Sequence, residues 1–127
     1  MTRVPLPNEP FVDARGSITN LTTSGCQSVA VIVSEKSSVR ARHHHEDEHT
    51  LYVVSGAVEY YQRPIGSTAL PEPQVFRAGD FFWTPANVDH AMRFLMPTVM
   101  VSIASGVRDT EHHEASVTRT RWPELDE

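Results

Sequence analysis

At 127 residues the chain can form one domain with its own core, because about two-thirds of the surface of an unfolded chain this size is buried on folding. A hydrophobic content of 39% with 21% charged residues excludes a disordered chain. The net charge of -5 excludes nonspecific nucleic-acid binding, and no apolar run approaches the about 18 residues of a membrane helix. The single cysteine, Cys26, excludes an intrachain disulfide. We therefore expect a cytoplasmic protein whose partners include neither nucleic acid nor a membrane.

Short β-rich runs separated by Gly, Pro, Asn and Asp at intervals of about ten residues predict an all-β fold. A single domain over residues 1–127 with many short antiparallel strands favours a sandwich or a barrel. Residues 107–127 form a C-terminal tail, of which 116–122 alternate well enough for an edge strand or else are a partly ordered terminus. In chain order, strands are predicted at 17–21, 28–34, 39–45, 50–55, 57–63, 74–77, 80–84, 90–95 and 99–105.

A cluster of histidines stands in the stretch RARHHHEDEHTLYVVSG, residues 40–56, which holds four of the seven histidines of the chain. If residues 39–45 form a strand, successive side chains alternate between its two faces. His43 and His45 then share one face, while His44 points to the other. Two imidazoles at i and i+2 converge on a common point, which allows a sheet to supply two ligands to one metal ion.

Two further histidines are placed to join this pair. His49 follows the short hinge EDE and opens the next predicted strand, so that it could turn back towards the same point. His90, in GDFFWTPANVDHAMRF, follows a turn that contains a proline and stands at the start of a later strand. From these residues alone, a metal site and a solvated polar loop both remain open. A tag remnant is disfavoured because the run is internal and has only three consecutive histidines.

The spacing of the first cluster resembles the first motif of the cupins, small jelly-roll barrels that hold metal ligands inside the barrel. That motif is a His-x-His pair, three or four residues, a Glu, six residues and a Gly. Here it corresponds to His43, His45, three residues, His49, six residues and Gly56. Glu48 competes with His49 for the Glu position. The strand register favours His49, because a slip of one residue reverses the face.

The second cupin motif is Gly, five residues, Pro-x-Gly, two residues and His. The chain matches it with Gly79, DFFWT, Pro85, Asn87 in place of the glycine, and His90. Asn is a tolerable replacement because it accepts left-handed backbone angles better than most residues. The two motifs, at 40–56 and 79–94, cover nearly half the chain. The resemblance implies an all-β fold, the double-stranded β-helix (jelly-roll) of a cupin barrel.

The resemblance also implies a site for one divalent transition metal per chain, held by His43, His45, His49 and His90. Neutral imidazoles favour ions such as iron, nickel, copper, cobalt or zinc over magnesium or calcium. Iron, nickel and zinc are the foremost candidates. An open coordination position is typical of a catalytic site. The leading interpretation is an enzyme for a small organic substrate, with either dioxygenase-like chemistry or carbonyl isomerisation and cyclisation.

The stretches FVDARGSI and VRARHHH resemble a narrower group, the sugar-nucleotide epimerases and ketoisomerases of the same superfamily. For this chain the likeness implies a metal-free enzyme in which Arg40 binds a nucleotide phosphate. His43 and His45 would be the acid–base pair, with His45 as the catalytic base. A third interpretation is a cupin that binds a small ligand without catalysis.

Apolar and aromatic residues near the predicted site serve either as core or as the lining of a substrate pocket. If His90 points inwards, strand alternation sends Met92 and Phe94 inwards as well, and Leu51 and Val53 follow His49 inwards. The register of FFW is ambiguous. The candidates for the pocket are Arg40, Tyr60, Trp83, Met92 and Phe94.

Two arginines precede the histidines, and in a regular strand Arg40 and Arg42 alternate outwards with His44. They are then expected on a solvated or dimer-facing edge, which disfavours a phosphate-binding role for Arg40. We also expect a homodimer, in which the N-terminal VPLPNEPF and residues 116–122 cover the exposed sheet edges of the partner.

Overall fold

Two antiparallel sheets pack face to face in the computed structural model, which describes residues 6, 8–21, 28–104 and 117–125. Cys26 and residues 107–116 of the predicted tail lie outside these ranges. Among the described residues, no helix has the length and apolar character needed to cross a membrane. The strands are β1 (Phe11–Asp13), β2 (Gly16–Asn20), β3 (Ser28–Ser34), β4 (Val39–His45), β5 (His49–Ser55), β6 (Ala57–Pro64), β7 (Gln74–Arg77), β8 (Phe81–Thr84), β9 (Val88–Phe94), β10 (Thr98–Ala104) and β11 (Val117–Arg119), followed by a 3-10 helix at Pro123–Leu125.

The six-stranded sheet has the order β1-β2-β3-β10-β5-β8, and the five-stranded sheet has the order β11-β4-β9-β6-β7. Strands that follow one another in sequence often lie in different sheets, so the chain crosses repeatedly between the two layers, as in a jelly-roll. The predicted all-β, jelly-roll fold class is confirmed. β1 was not predicted, because a strand of three residues gives almost no alternation pattern.

The interior between the sheets is filled by apolar side chains from both of them. Leu51, Val53, Met92 and Phe94 are all buried there, as the alternation from His49 and His90 predicted. The full cluster of buried residues is Leu51, Val53, Val58, Tyr60, Phe82, Met92, Phe94 and Met100.

The described part of the C-terminal tail lies against its own chain. β11 pairs with β4, and Trp122 and Leu125 are buried on the outer face of the five-stranded sheet. They pack there with Val39, Tyr61 and Ala91. The described residues 117–122 therefore pack on their own chain, and the contact of this segment with a partner stays a prediction.

A buried polar group fastens this segment to the sheet. Arg63 donates from Nε to Asp89 Oδ2 at 3.0 Å and from Nη2 to the carbonyl oxygen of Arg121 at 2.6 Å. The guanidinium carbon lies 3.6 Å from the centroid of the Trp122 ring. The hydroxyl of Thr120 donates to the other carboxylate oxygen of Asp89. Because these charged groups are paired and hydrogen-bonded, the segment is held in one position.

A bulge in β4 determines which side chains of that strand point into the barrel. Ala41 and Arg42 have φ values of 69° and 56°, and the pairing with β9 shifts register between Ala41 and His43. The extra residue places Arg40 on the same face as His43. Arg40 is buried, so its predicted outward orientation is wrong. A regular strand would have given the predicted orientation, but the bulge reverses it.

Candidate metal centre

Three histidines converge inside the barrel at the end where β4 finishes. His43 is the direct partner of His90 across the β4–β9 ladder, and His45 follows on the same face. The ring centroid of His90 lies 4.8 Å from those of both His43 and His45. One ring nitrogen from each of the three lies within 4.8 Å of the others, and all three residues are buried. These three predicted ligands are therefore brought together.

His49, the fourth predicted ligand, lies beside His45 at the start of β5. Their rings are stacked, with centroids 4.0 Å apart and planes at 13°. His49 Nε2 lies 3.2 Å from Asp47 Oδ2, and His45, Asp47 and His49 form a second group of close ligand atoms. Glu48, the competing candidate, is exposed, whereas His49 is buried.

Tyr60 and Gln62 stand beside the histidines on β6. The Tyr60 ring centroid lies 6.2 Å from that of His90, and its hydroxyl donates to Gln62 Oε1 at 2.7 Å. Burial raises the pKa of Tyr60 well above its usual range, so the phenol stays neutral and keeps its proton for donation. Gln62 pairs directly with His90 in the β6–β9 ladder.

The predicted pocket residues on β8 and β9 are placed in two ways. Met92 and Phe94 belong to the buried core cluster, as does Tyr60. Trp83 lies on the outer face of β8 with 53% of its surface exposed, because alternation sends Phe82 inwards instead. The prediction that Trp83 lines the interior is therefore wrong, and Phe82 takes that position.

Arg40 faces the interior but bonds to β3. Its Nε donates to Ser34 Oγ at 2.8 Å and its Nη2 to the carbonyl oxygen of Val33 at 3.1 Å. Burial, with a smaller contribution from the nearby charge of Arg15, lowers the pKa of Arg40 to about 10. Since this value is far above neutral, the side chain remains a cation with its donors directed to β3.

Two residues of this region were not anticipated from the sequence. Asp47 continues the alternation of His43 and His45, one step beyond the strand, and that spacing could have identified it. Gln62 gives no comparable indication in the sequence, because its position opposite His90 depends on the register of β6 and β9.

The donors gathered here fit a divalent transition metal. Buried imidazoles are borderline ligands that suit iron, nickel, copper or zinc, whereas magnesium and calcium require mostly oxygen donors. The one carboxylate in the two groups of ligand atoms, Asp47, contacts the histidines themselves. The composition of the site therefore matches the class of metal that the sequence indicated.

Several solved structures are similar to this chain. CapF from Staphylococcus aureus, a capsular polysaccharide assembling protein, aligns over 94% of this chain with a TM-score of 0.75 and 19% identity. The chain spans only 33% of that CapF chain. A second CapF structure contains the inhibitor 3-isopropenyl-tropolone and matches with a TM-score of 0.72, 20% identity and coverage of 90% of this chain and 34% of that chain.

Two smaller proteins match over most of their length. KdgF from Halomonas sp. has a TM-score of 0.66 and 20% identity, with coverage of 82% of this chain and 93% of that chain. An RmlC-like cupin from Shewanella frigidimarina NCIMB 400 has a TM-score of 0.63 and 24% identity, with coverage of 80% and 86%. No curated protein matches the sequence. At such identities the similarity establishes the fold alone.

The sequence also matches a family model, that of the cupin domain, over residues 30–104. The matched region is more than half of the chain and contains both histidine motifs and the strands that carry them. The chain therefore belongs to the cupin family.

Proposed function

We propose that this cupin is a metal-dependent enzyme that acts on a small organic molecule. The supporting observation is the convergence of three buried imidazoles, from His43, His45 and His90, at one point of the interior. We include His49 in the proposed ligand set because it is buried beside His45, which belongs to both groups of close ligand atoms. The metal is one divalent ion per chain, with iron, nickel and zinc as the candidates.

The side chains around the histidines give the site its selectivity for substrate. A bound transition metal supplies a Lewis acid that polarises a carbonyl oxygen or, if redox-active, a centre for oxygen chemistry. Tyr60 and Gln62 offer a hydroxyl and an amide, joined by a hydrogen bond of 2.7 Å, on the strand next to His90. Phe82 and Met92 make the adjoining interior apolar and exclude water from it. This environment favours a small, partly apolar substrate.

The substrate class we propose is a chelating enol, catechol or thiol. CapF has been solved with a tropolone, and a tropolone carries a carbonyl and a hydroxyl on adjacent carbons. A molecule of this shape presents two donor oxygens to one metal ion. Either dioxygenase-like oxidation or isomerisation and cyclisation of a carbonyl compound is compatible with such a substrate, and the metal decides between them.

Metal content is the decisive measurement. Elemental analysis of untagged protein should find one equivalent of iron, nickel or zinc per chain. His43→Ala and His90→Ala should lose most of it, while His44→Ala serves as the control, because His44 points to the opposite face of the same strand. Stoichiometric metal that is retained in both ligand variants would refute the assignment. Metal-loaded protein that turns over no β-diketone, catechol or thiol would favour non-catalytic ligand binding.

One observation keeps a metal-free sugar-nucleotide isomerase or epimerase as the second candidate. His45 Nδ1 lies 2.8 Å from the backbone carbonyl oxygen of Asp47, and a histidine held through one ring nitrogen can present the lone pair of the other as a general base. In this case metal-stripped protein would exchange a substrate proton next to a ketone with deuterium from solvent, and His45→Ala would abolish the exchange.

We also propose a homodimer, formed through the outer face of the six-stranded sheet. Strand alternation and register place eleven apolar side chains on this face, and none of the charged residues in the described strands joins them. We call it the uncovered face; its apolar members are Val12, Val29, Val31, Val33, Tyr52, Val54, Phe81, Trp83, Val99, Val101 and Ile103.

Both charge and area favour a second copy as the occupant of the uncovered face. Each chain carries a net charge of -5, so two copies repel each other least when they meet through an uncharged surface. Phe81, Trp83 and Tyr52 are 61%, 53% and 42% exposed. With about 150–250 Å² per aromatic side chain, these three offer on the order of 300 Å², over a third of the about 800 Å² that each partner buries in a standard interface.

A further inference from the structure

Asp47 contacts two of the proposed ligands at once. It lies in the bend between β4 and β5, and its side chain is only 13% exposed. Its backbone carbonyl oxygen is 2.8 Å from His45 Nδ1, and its Oδ1 is 3.4 Å from the same nitrogen. Its Oδ2 is 3.2 Å from His49 Nε2. One residue therefore faces a different ring nitrogen on each of two stacked histidines.

These contacts determine where the imidazole protons lie. A neutral imidazole carries one N–H and one lone pair, and the hydrogen bond made by one nitrogen fixes the role of the other. A carbonyl oxygen only accepts, so the proton of His45 belongs on Nδ1 and the lone pair on Nε2. An ionised carboxylate also only accepts, so the proton of His49 belongs on Nε2 and the lone pair on Nδ1.

We propose that Asp47 is a positioning residue that holds His45 and His49 in opposite tautomers. It thereby sets the nitrogen that each offers to a metal: Nε2 from His45 and Nδ1 from His49. The metal-binding consequence rests on the proposed function, whereas the tautomers are a property of the protein alone. Partners of this kind, which orient a ligand without binding the metal, typically change metal affinity by about 10–100-fold when removed.

Glu46, next to Asp47 in the chain, is the natural control. It is exposed, whereas the Asp47 side chain is largely buried between the histidines. Glu46→Gln removes one negative charge from the same bend and leaves the contacts of Asp47 intact. Any effect of Asp47→Ala that this variant lacks is therefore due to position and not to net charge.

The tautomers are measured first, on metal-free protein at one fixed pH where the histidines are neutral. Long-range ¹H–¹⁵N correlation of the imidazole rings should find Nδ1–H for His45 and Nε2–H for His49. In Asp47→Ala, His45 keeps its tautomer because the backbone carbonyl remains, while His49 loses its preference. A protein in which His49 carries its proton on Nδ1, or keeps Nε2–H in Asp47→Ala, would overturn the proposal.

Metal affinity is measured second, by competition of Zn²⁺ with a chromophoric chelator. Asp47→Ala should bind Zn²⁺ about 10–100-fold more weakly than wild type, while Glu46→Gln should match wild type. Equal affinity in the two variants would contradict the positioning role. Wild-type protein that binds no metal but shows the expected tautomers would refute the proposed function and leave the positioning by Asp47 standing. Circular dichroism of each variant verifies that the fold is retained.

Discussion

His49 and Glu48 are adjacent in the chain, yet they differ in what they could do for a metal. His49 is 6% exposed and stacks on His45, whereas Glu48 is exposed. We expect His49→Ala to lower Zn²⁺ affinity at least about tenfold, the lower end of the effect of losing even an indirect partner. Glu48→Ala should leave the affinity unchanged. Metal titration of the two variants measures this, and the reverse outcome would place the ligand one residue earlier.

At the scale of single residues, the sequence predicted the orientation of some side chains correctly and of others wrongly. The spacing of His43, His45 and His90 sufficed to bring them together, because strand alternation is a robust geometric rule. Arg40 was predicted on the wrong face of β4. The bulge at Ala41 and Arg42 contains no glycine, so the sequence gives no indication of it. Positive φ values at ordinary residues are uncommon and are decided by tertiary packing, so the local sequence does not predict them.

At the scale of elements, the two motif glycines have the same backbone conformation but different surroundings. Gly56 and Gly79 have φ values of +98° and +93°. A Cβ at Gly56 would lie 2.5 Å from the carbonyl oxygen of Pro97 and 2.7 Å from Thr98 Cα, while nothing lies within 4 Å at Gly79. Gly56 is therefore required for both its conformation and its close contact with the turn before β10, and Gly79 for its conformation alone.

Alanine at these two positions separates the two requirements. Gly79→Ala should cost about 1–2 kcal/mol of unfolding free energy from the left-handed backbone. Gly56→Ala should cost a further amount of about 1–3 kcal/mol, because backbone atoms must move to relieve the clash. Urea denaturation of the two variants measures the difference. Equal losses of unfolding free energy in the two variants would mean that the backbone of the turn before β10 moves to relieve the clash without a measurable cost.

The C-terminal segment is the second element with a testable role, because β11 pairs with the strand that carries His43 and His45. Trp122 is fully buried on the outer face of that sheet and stacks under the Arg63 guanidinium. We expect Trp122→Ala to lower the unfolding free energy by about 3–5 kcal/mol, as for other large buried aromatic side chains.

Glu124→Ala, in the neighbouring 3-10 helix, is the matched control for this variant. Glu124 is exposed, and the contact it makes with Arg93 uses its backbone oxygen. Its replacement should change the unfolding free energy by less than about 0.5 kcal/mol. If Trp122→Ala were equally mild, the C-terminal segment would be a dispensable cover and not part of the support for β4.

For the whole molecule, the sequence predicted the arrangement of the strands better than it predicted which residues cover the outer face of each sheet. Period-two alternation and turn residues suffice to locate strands, and the jelly-roll follows from the resemblance of the two motif spacings to those of the cupins. What covers each sheet is decided by contacts between residues far apart in sequence, such as Arg63 with the carbonyl of Arg121. The tail was therefore expected on a partner chain, while its described residues pack on the five-stranded sheet of their own chain.

The uncovered face gives the last prediction, because two valines of similar exposure lie on different sheets. Val33, in the middle of the uncovered face, is 39% exposed, and Val75, on β7 of the other sheet, is 43% exposed. In a homodimer paired through the uncovered face, Val33→Glu places two like charges in an apolar contact, which costs several kcal/mol. Val75→Glu adds the same charge outside it.

We therefore expect sedimentation equilibrium to give a dimer for wild type and Val75→Glu, and a monomer for Val33→Glu at the same protein concentration. Circular dichroism should be the same for all three, since the substituted side chains are partly exposed in the single chain. A monomeric wild type would exclude the homodimer. A dimer that tolerates Val33→Glu but not Val75→Glu would move the interface to the edge of the five-stranded sheet, where β7 lies. The matched pair thus determines which of the two sheets the protein uses for association.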